Sequence, residues 1–257
     1  MAQLHHFIRM KHYNLLYGRV PKAANSSIKA ALCRLLSERP PKGTKTTSDK
    51  FWQHETNQET ELITLRRARR YRVTHFSFSF VRNPFDRLVA AYNNKILEID
   101  DVPQPMKRMG LRHNMPFPQF IETICRCNPD ELDNHIRPQA DMLLTNGLLV
   151  PKFVGRMEHI NTHWRRLRRR MKLEGLPTLG KLPRRNVRRK GRSDIADRFN
   201  TPALIDTILE RYAQDFERFY SFYTVDQLLS GDELEEHAPL QRGAARARAR
   251  QAVANAS

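Results

Sequence analysis

The sequence predicts an α/β fold built around a parallel sheet, because two strand–loop–helix units follow each other along the chain. In the first unit, a short apolar run between His12 and Val20 stops at Pro21 and precedes a helical pattern. In the second, phenylalanines alternate with serines from Phe76 to Phe80, and a helical pattern begins at Pro84. Parallel sheets bind anions at the carboxyl ends of their strands, so the two loops predict a phosphate site.

The helix of each unit has a start signal and one apolar face. Asn25, Ser26 and Ser27 can cap the first helix, and Asn83 can cap the second with Pro84 in its first turn. The apolar positions are Ile28, Ala31, Leu32, Leu35 and Leu36 in the first helix, and Phe85, Leu88, Val89, Tyr92 and Ile96 in the second. These spacings place both helices against a core.

Later segments extend the same pattern. Apolar spacing predicts helices over Phe117–Cys127 and Ala203–Phe219, and a strand over Leu148–Gly155. The length suits a single domain, expected over residues 1–230. The segment 231–257 loses the apolar pattern, which predicts a disordered or weakly helical charged tail.

Charge is the strongest compositional signal. The chain has 45 basic and 27 acidic residues, a net charge of +18. Fourteen of the basic residues lie between Arg156 and Arg192, with only Glu158 and Glu174 among them. This density predicts a polyanionic partner, which could be a phosphorylated cofactor, an acidic glycan, a nucleic acid or an anionic membrane, or else a solvated basic face.

The sequence shows no apolar run of membrane-spanning length, and charges and histidines occupy residues 1–11, where a signal peptide would be apolar. We therefore expect a cytoplasmic protein. Cys33, Cys125 and Cys127 lack the partners of a zinc site and are interpreted as reduced thiols, so no metal is expected.

The first loop, from Arg19 to Ser27, has residues suited to an anion. Small side chains let backbone N–H groups approach it, the following helix start adds positive potential, and Lys22 can reach a developing negative charge. The loop lacks the glycine spacing of a Walker motif, and an ordinary capped turn would also explain it. Arg82 ends the second strand beside another helix start, which is a second position suited to phosphate.

At these two loops the chain resembles the sulfotransferase superfamily, and specifically its carbohydrate sulfotransferase type, often called family 2. The first loop resembles the 5′-phosphosulfate loop of that family and the second resembles its 3′-phosphate segment. Later stretches resemble further family blocks in the same order, and the resemblance runs from about His12 to Tyr223. These stretches are His135–Gln139, Val154–Glu158, Leu182–Pro183 with Asn186, and Tyr212–Phe219.

The resemblance implies a three-layer α/β/α fold with a central, mostly parallel sheet like that of P-loop NTPases. It also implies 3′-phosphoadenosine 5′-phosphosulfate (PAPS) as sulfuryl donor, with no metal, Lys22 as a catalytic residue and Arg82 as a ligand of the 3′-phosphate. The other donor-binding residues that it implies are Arg19, Pro21, Ala23, Ala24, Asn25, Ser26 and Ser27. The sequence departs from the family at Ala90, where a serine usually binds the 3′-phosphate, and Asn93, Asn94 or Lys95 could substitute.

Transfer to a hydroxyl also needs a proton acceptor, for which His135 is the first candidate and His75 and Glu158 are alternatives. The expected acceptor is a hydroxyl-bearing glycan or glycolipid, either acidic or neutral. The basic surface is compatible with peripheral contact to an anionic membrane, and no specific nucleic acid is expected. Three other functions stay open. A related kinase would need a Walker loop and magnesium ligands, and a nucleic-acid or anionic-surface binder would leave the two loops unexplained. Ala90 suggests the third, a decayed sulfotransferase that binds the donor poorly.

Overall fold

A computed structural model describes residues 5–183 and 194–241 of the chain. Its strands are β1 (Phe7–Met10), β2 (Leu15–Gly18), β3 (Thr60–Ile63), β4 (Phe76–Val81), β5 (Leu144–Thr145), β6 (Leu148–Leu149), β7 (Phe153–Arg156) and β8 (Leu240–Gln241). Its helices are α1 (Asn25–Leu32), α2 (Asp49–His54), α3 (Leu65–Tyr71), α4 (Pro84–Tyr92), α5 (Gln104–Arg108), α6 (Phe117–Arg126), α7 (Gln139–Leu143), α8 (Ile160–Leu173), α9 (Asp194–Arg198), α10 (Pro202–Arg211), α11 (Ala213–Asp215) and α12 (Val225–Leu229).

One six-stranded sheet has the order β3-β1-β2-β4-β7-β8, and β5 pairs with β6 separately. Strands β2, β4 and β7 are parallel neighbours, whereas β1 and β8 run antiparallel to β2 and β7. Because β3 is antiparallel to β1, it runs in the same direction as β2. Four strands therefore share one direction, which confirms the predicted mostly parallel sheet. The carboxyl ends of β2 and β4 lie side by side at one edge.

Helices cover both faces of the sheet, which confirms the three-layer architecture. On one face, Phe7 and Leu16 belong to a core that includes residues of α3, α4, α6, α7 and α10. On the other, Ile8, Tyr17 and Phe78 belong to a core that includes residues of α1, α2 and α8. Neighbouring residues on a strand point to opposite faces, so each strand contributes to both cores. None of the described helices has the length and apolar character needed to cross a bilayer.

The start of α4 is as predicted, since the backbone N–H of Phe85 donates to Asn83 Oδ1 at 3.1 Å and Pro84 occupies the first turn. The expected strand over 148–155 is instead two short strands, β6 and β7, separated by a stretch that contains Pro151. Strand β6 pairs with β5, whereas β7 pairs with β4 in the main sheet.

The expected tail also differs from the structure over its first eleven residues. Strand β8 pairs with β7, and Glu236 forms a 2.7 Å ion pair with Arg166. Residues 231–241 therefore pack on the domain, because β7 offers an unpaired edge that a short antiparallel strand can cover. Residues 242–257 of the expected tail lie outside the described residues.

Residues 231–241 also help to bury His163, and this burial makes the free energy of unfolding depend on pH. The backbone N–H of Arg156 donates to His163 Nδ1 at 2.8 Å, so Nε2 carries the proton that bonds the carbonyl of His237 at 3.0 Å. Burial lowers the pKa of His163 to about 4. As the pH falls from 6.5 to 4, the unfolded chain takes up a proton that the folded chain excludes, so the free energy of unfolding should fall.

We expect His163→Gln to remove this dependence, since an amide can both accept and donate at similar positions. The slope of unfolding free energy against pH should fall by up to one proton, about 1.4 kcal/mol per pH unit. Urea unfolding at pH 7, 6 and 5 measures it. The exposed His54→Gln is the control, and an identical slope in the parent and His163→Gln would contradict the assignment.

Candidate functional site

The loop between β2 and α1 has a backbone suited to an anion. Lys22 and Ala24 both adopt the left-handed region, with φ of 68° and 57°. Non-glycine residues seldom do so, and such residues are concentrated at functional sites. Alternating backbone of this kind turns successive N–H groups toward one concavity. Helix α1 begins at Asn25 without a side-chain cap, so its first turn adds positive potential to the same place.

The side chains of this loop have different surroundings. Lys22 is half-buried, and its ammonium group donates to Asn94 Oδ1. Ala23 is fully buried and packs in the core, which makes it a structural anchor of the loop. Asn25 accepts a 3.1 Å hydrogen bond from the hydroxyl of Tyr17, whereas the side chain of Ser26 is partly exposed beside it. Lys22 and Ser26 are therefore accessible to a ligand.

Arg19 has a different environment. Its guanidinium donates to the carboxylate of Asp49 and to the carbonyl of His5. Lys29 lies 3.6 Å from the same carboxylate and donates to the carbonyl of Thr47 at 2.8 Å. Arg19 and Lys29 are thus buried and paired with the exposed carboxylate of Asp49, and the expected contact of Arg19 with the donor stays a prediction.

Arg82 joins the two predicted loops. Its Nε and Nη2 donate to the Asp86 carboxylate at 2.7 and 2.9 Å, and its Nη1 donates to the Lys22 carbonyl at 3.0 Å. The residue is only 8% exposed. A guanidinium has five N–H donors, so these contacts leave two for another partner. The pair with Asp86 was not predicted from the sequence.

His135 lies at the same site and forms a pair with Asp133. Its Nδ1 is 2.7 Å from Asp133 Oδ1. Burial lowers the pKa of His135, the hydrogen bond to Asp133 opposes this, and the positive charges of Lys95 and Lys22 lower it further. The imidazole is therefore neutral at pH 7, with Nδ1–H directed to the carboxylate and Nε2 able to accept a proton. Arg87 donates to the carbonyls of both Pro21 and Asn134, which brings the neighbouring His135 close to the first loop.

The two alternative proton acceptors are less suited. His75 precedes β4 at the opposite end of the strand from Arg82, roughly 20 Å away for six residues of strand. It bonds Arg9 and Thr74 there. Glu158 lies near the site, but its carboxylate accepts from the Asn83 N–H at 2.7 Å and from the Tyr220 hydroxyl at 3.0 Å. These bonds make Glu158 a support for the start of α4.

Arg87 holds the two halves of the site together. Its guanidinium donates to the carbonyls of Pro21 at 3.0 Å, Asn134 at 2.9 Å and Arg137 at 2.7 Å. Only 1% of the residue is exposed. One buried side chain therefore bridges the Lys22 loop and the His135 segment. The only sequence signal for this role is a charged residue inside the apolar pattern of α4.

A second set of hydrogen bonds connects the Arg82 loop to two later blocks of the sequence. Gln139 Oε1 accepts from the Arg82 N–H at 2.9 Å, and Asp215 Oδ2 accepts from the Gln139 N–H at 2.9 Å. The hydroxyl of Tyr212 donates to the carbonyl of Ile136. Burial raises the pKa of Asp215 to about 6. The blocks at 135–139 and 212–219 thus position the site from behind.

After α4 the helix continues as a π turn over Asn93–Leu97. Such a turn shifts the register of the side chains and is frequent at functional sites. Here it presents Asn94 to Lys22, and Lys95 acts electrostatically on His135. Ala90 lies one turn earlier on α4 and is partly exposed. Of the polar residues that could replace a serine at that position, Asn94 is the one that contacts the first loop in the described structure.

These features define an α/β protein with a loop suited to an anion at the edge of its sheet and with a lysine, an arginine and a neutral histidine beside that loop. The chain belongs to the sulfotransferase family, whose family model, described as "Sulfotransferase family", matches residues 5–221. It is also 28% identical over 152 residues to carbohydrate sulfotransferase 14 of Mus musculus and of Homo sapiens. These matches cover 52% of this chain and 38% of each relative, so the aligned part spans well under half the relatives' length. No solved structure is significantly similar to the chain.

Proposed function

We propose that this protein transfers the sulfuryl group of 3′-phosphoadenosine 5′-phosphosulfate to a hydroxyl of a carbohydrate acceptor. The observation that carries the proposal is the convergence of Lys22, Arg82 and His135 at one edge of the sheet, tied by the Arg82–Lys22 hydrogen bond and by Arg87. Family membership supports the reaction type. The names of the two relatives support a carbohydrate acceptor.

The residues present fit a nucleotide with phosphate and phosphosulfate groups. Two N–H donors of Arg82 remain after its described bonds, which suits a phosphate oxygen. The left-handed loop at Lys22 and Ala24 and the accessible Ser26 suit a second anionic group. When bound, the donor supplies an activated sulfuryl group. This chain would hold it with Lys22, Arg82 and the N–H groups at the start of α1.

The chain's own residues account for the proton and the charge of the transfer. His135 Nε2 would take the proton of the acceptor hydroxyl as the new O–S bond forms. Asp133 holds Nδ1–H and would stabilise the imidazolium that results. Lys22 would stabilise the negative charge on the oxygen released as the old S–O bond breaks. Since His135 is neutral at pH 7, it is ready to accept.

Calorimetric titration with 3′-phosphoadenosine 5′-phosphate tests the donor site, with magnesium ATP and a short DNA duplex as comparisons. Micromolar binding of the bisphosphate without metal is expected. Preferential binding of magnesium ATP would favour a kinase. Tight, salt-sensitive binding of DNA with no bisphosphate binding would show that the net charge of +18, rather than the loops, reflects the function.

His135→Gln is expected to lower kcat by about 10²–10⁴-fold, because the proton acceptor of the transfer is lost. Donor affinity should stay unchanged. In the parent, activity should fall only below pH 6.5, where the imidazole becomes protonated, because its pKa is lowered. His75→Gln is the comparison, because His75 is the alternative proton acceptor and lies at the other end of β4. A larger loss of turnover in His75→Gln than in His135→Gln would overturn the assignment.

A further inference from the structure

A cavity of about 630 Å³ lies beside the proposed donor site and has no role in the chemistry above. Its size falls within the usual range for small-ligand sites, about 300–1,000 Å³. Its titratable lining residues are His6, Arg66, Arg67, Arg70 and Asp141, and Thr64 and Thr145 add hydroxyls. Three arginines face one acidic residue, so the cavity carries a net positive charge.

The sheet places this cavity at the same edge as Lys22. In the register, Phe7 of β1 is opposite both Gly18 of β2 and Ile63 of β3. The preceding His6 and the following Thr64 therefore lie where β2 enters the first loop. The Arg19 N–H donates to the His6 carbonyl at 2.7 Å, and Arg19 is three residues from Lys22. The backbone of Lys22 is then at most about 14 Å from that carbonyl, a span that an oligosaccharide can bridge.

The arginines of α3 are available to an anion. Arg66 and Arg70 are exposed and lie one turn apart on one face of the helix. Within residues 5–183 and 194–241, no acidic side chain forms an ion pair with either of them. Arg67 is 3.1 Å from Glu61 and is partly neutralised. Asp141 is the one acidic residue in the lining, against three arginines.

We propose that this cavity is an acceptor subsite that binds a carboxylate or sulfate ester on a saccharide, with Arg66 and Arg70 as its anion-binding residues. A guanidinium can hold either oxyanion through two parallel hydrogen bonds. Thr64 and His6 line the same space and offer polar groups to sugar hydroxyls. The role as an acceptor subsite rests on the proposed function, whereas the binding itself does not.

The test measures equilibrium binding with the double variant Arg66→Gln/Arg70→Gln. Two pairs of probes are titrated in the presence of 3′-phosphoadenosine 5′-phosphate: tetragalacturonate with its methyl ester, and a sulfated galactan tetrasaccharide with its desulfated form. The double variant should bind the charged probe at least tenfold more weakly and the neutral form unchanged. The pair that shows the loss identifies carboxylate or sulfate as the bound group.

The control is Arg165→Gln/Arg169→Gln, which removes two exposed arginines one turn apart on α8 and should leave binding unchanged. Equal weakening in both double variants would mean a general charge effect and overturn the subsite. So would a parent that binds neither charged probe at millimolar concentration, or a subsite variant that instead loses the bisphosphate. If the charged saccharide binds as expected but no sulfuryl transfer occurs, the proposed function fails and the subsite stands.

Discussion

Lys22→Ala is expected to lower kcat by about 10²–10³-fold, the usual effect of removing one group that stabilises charge in a transition state. Lys22 is the accessible cation of the loop between β2 and α1, and its left-handed backbone directs the surrounding N–H groups to one concavity. Removing the ammonium group should leave negative charge on the departing oxygen without its nearest cation.

The same change should affect stability little. The side chain is only half-buried, and alanine has the same backbone strain at a φ of 68° as lysine. Urea unfolding and single-turnover transfer from PAPS measure the two effects separately. Lys172→Ala, on the exposed face of α8, is the matched control. Turnover of Lys22→Ala within twofold of the parent would show that this loop is not where transfer occurs.

Arg87→Lys is expected to lower kcat/KM by about 10²-fold although Arg87 contacts neither the donor nor the acceptor in the proposed site. Its three hydrogen bonds hold the carbonyls of Pro21, Asn134 and Arg137 together. Lysine keeps the charge but cannot donate in three fixed directions from one plane. The Lys22 loop and the His135 segment should then separate, and misplacement by about 1 Å can cost 10²-fold in rate.

A purely structural role would lower stability without changing the chemistry, so the pH profile is the decisive measurement. Release of the 134–137 segment should let the pKa of His135 rise toward 6.5. The acid limb of the kcat/KM profile would then shift to higher pH. Arg156→Lys is the matched control. Arg156 is equally buried, and its guanidinium donates to the carbonyls of Phe219, His237 and Ala238. An unchanged pH profile in Arg87→Lys would make Arg87 a stability residue alone.

Local patterns were sufficient for the elements that carry the loops. Phe76–Phe80 alternates clearly, and Asn83 with Pro84 starts α4 as its residue types predict. Strands β1 and β3 were missed, because four-residue strands with few flanking turn signals give weak periodicity. Strand β8 was missed for another reason. Its pairing depends on the exposed edge of β7, which a sequence window does not contain.

For the candidate site, the sequence located Lys22, Arg82 and His135 but not the groups that hold them. Asp86 and Asp133 looked like ordinary polar residues of a helix or loop, and Asn94 was named only as a possible replacement for a phosphate-binding serine. Their roles come from contacts with Arg82, His135 and Lys22. The π turn that presents Asn94 is a change of helical register, and the spacing of apolar residues does not reveal it.

The sequence by itself determined the α/β class, the two strand–loop–helix units and the family, because these depend on residue types at short spacing. Only the tertiary structure decided which charges meet. Arg19 is held by Asp49, Arg87 bridges the segments at Pro21 and Asn134, which are 113 residues apart, and His135 rather than His75 lies with Lys22. The physical reason is that burial and pairing depend on groups brought together by the sheet, and local sequence spacing does not encode those distances.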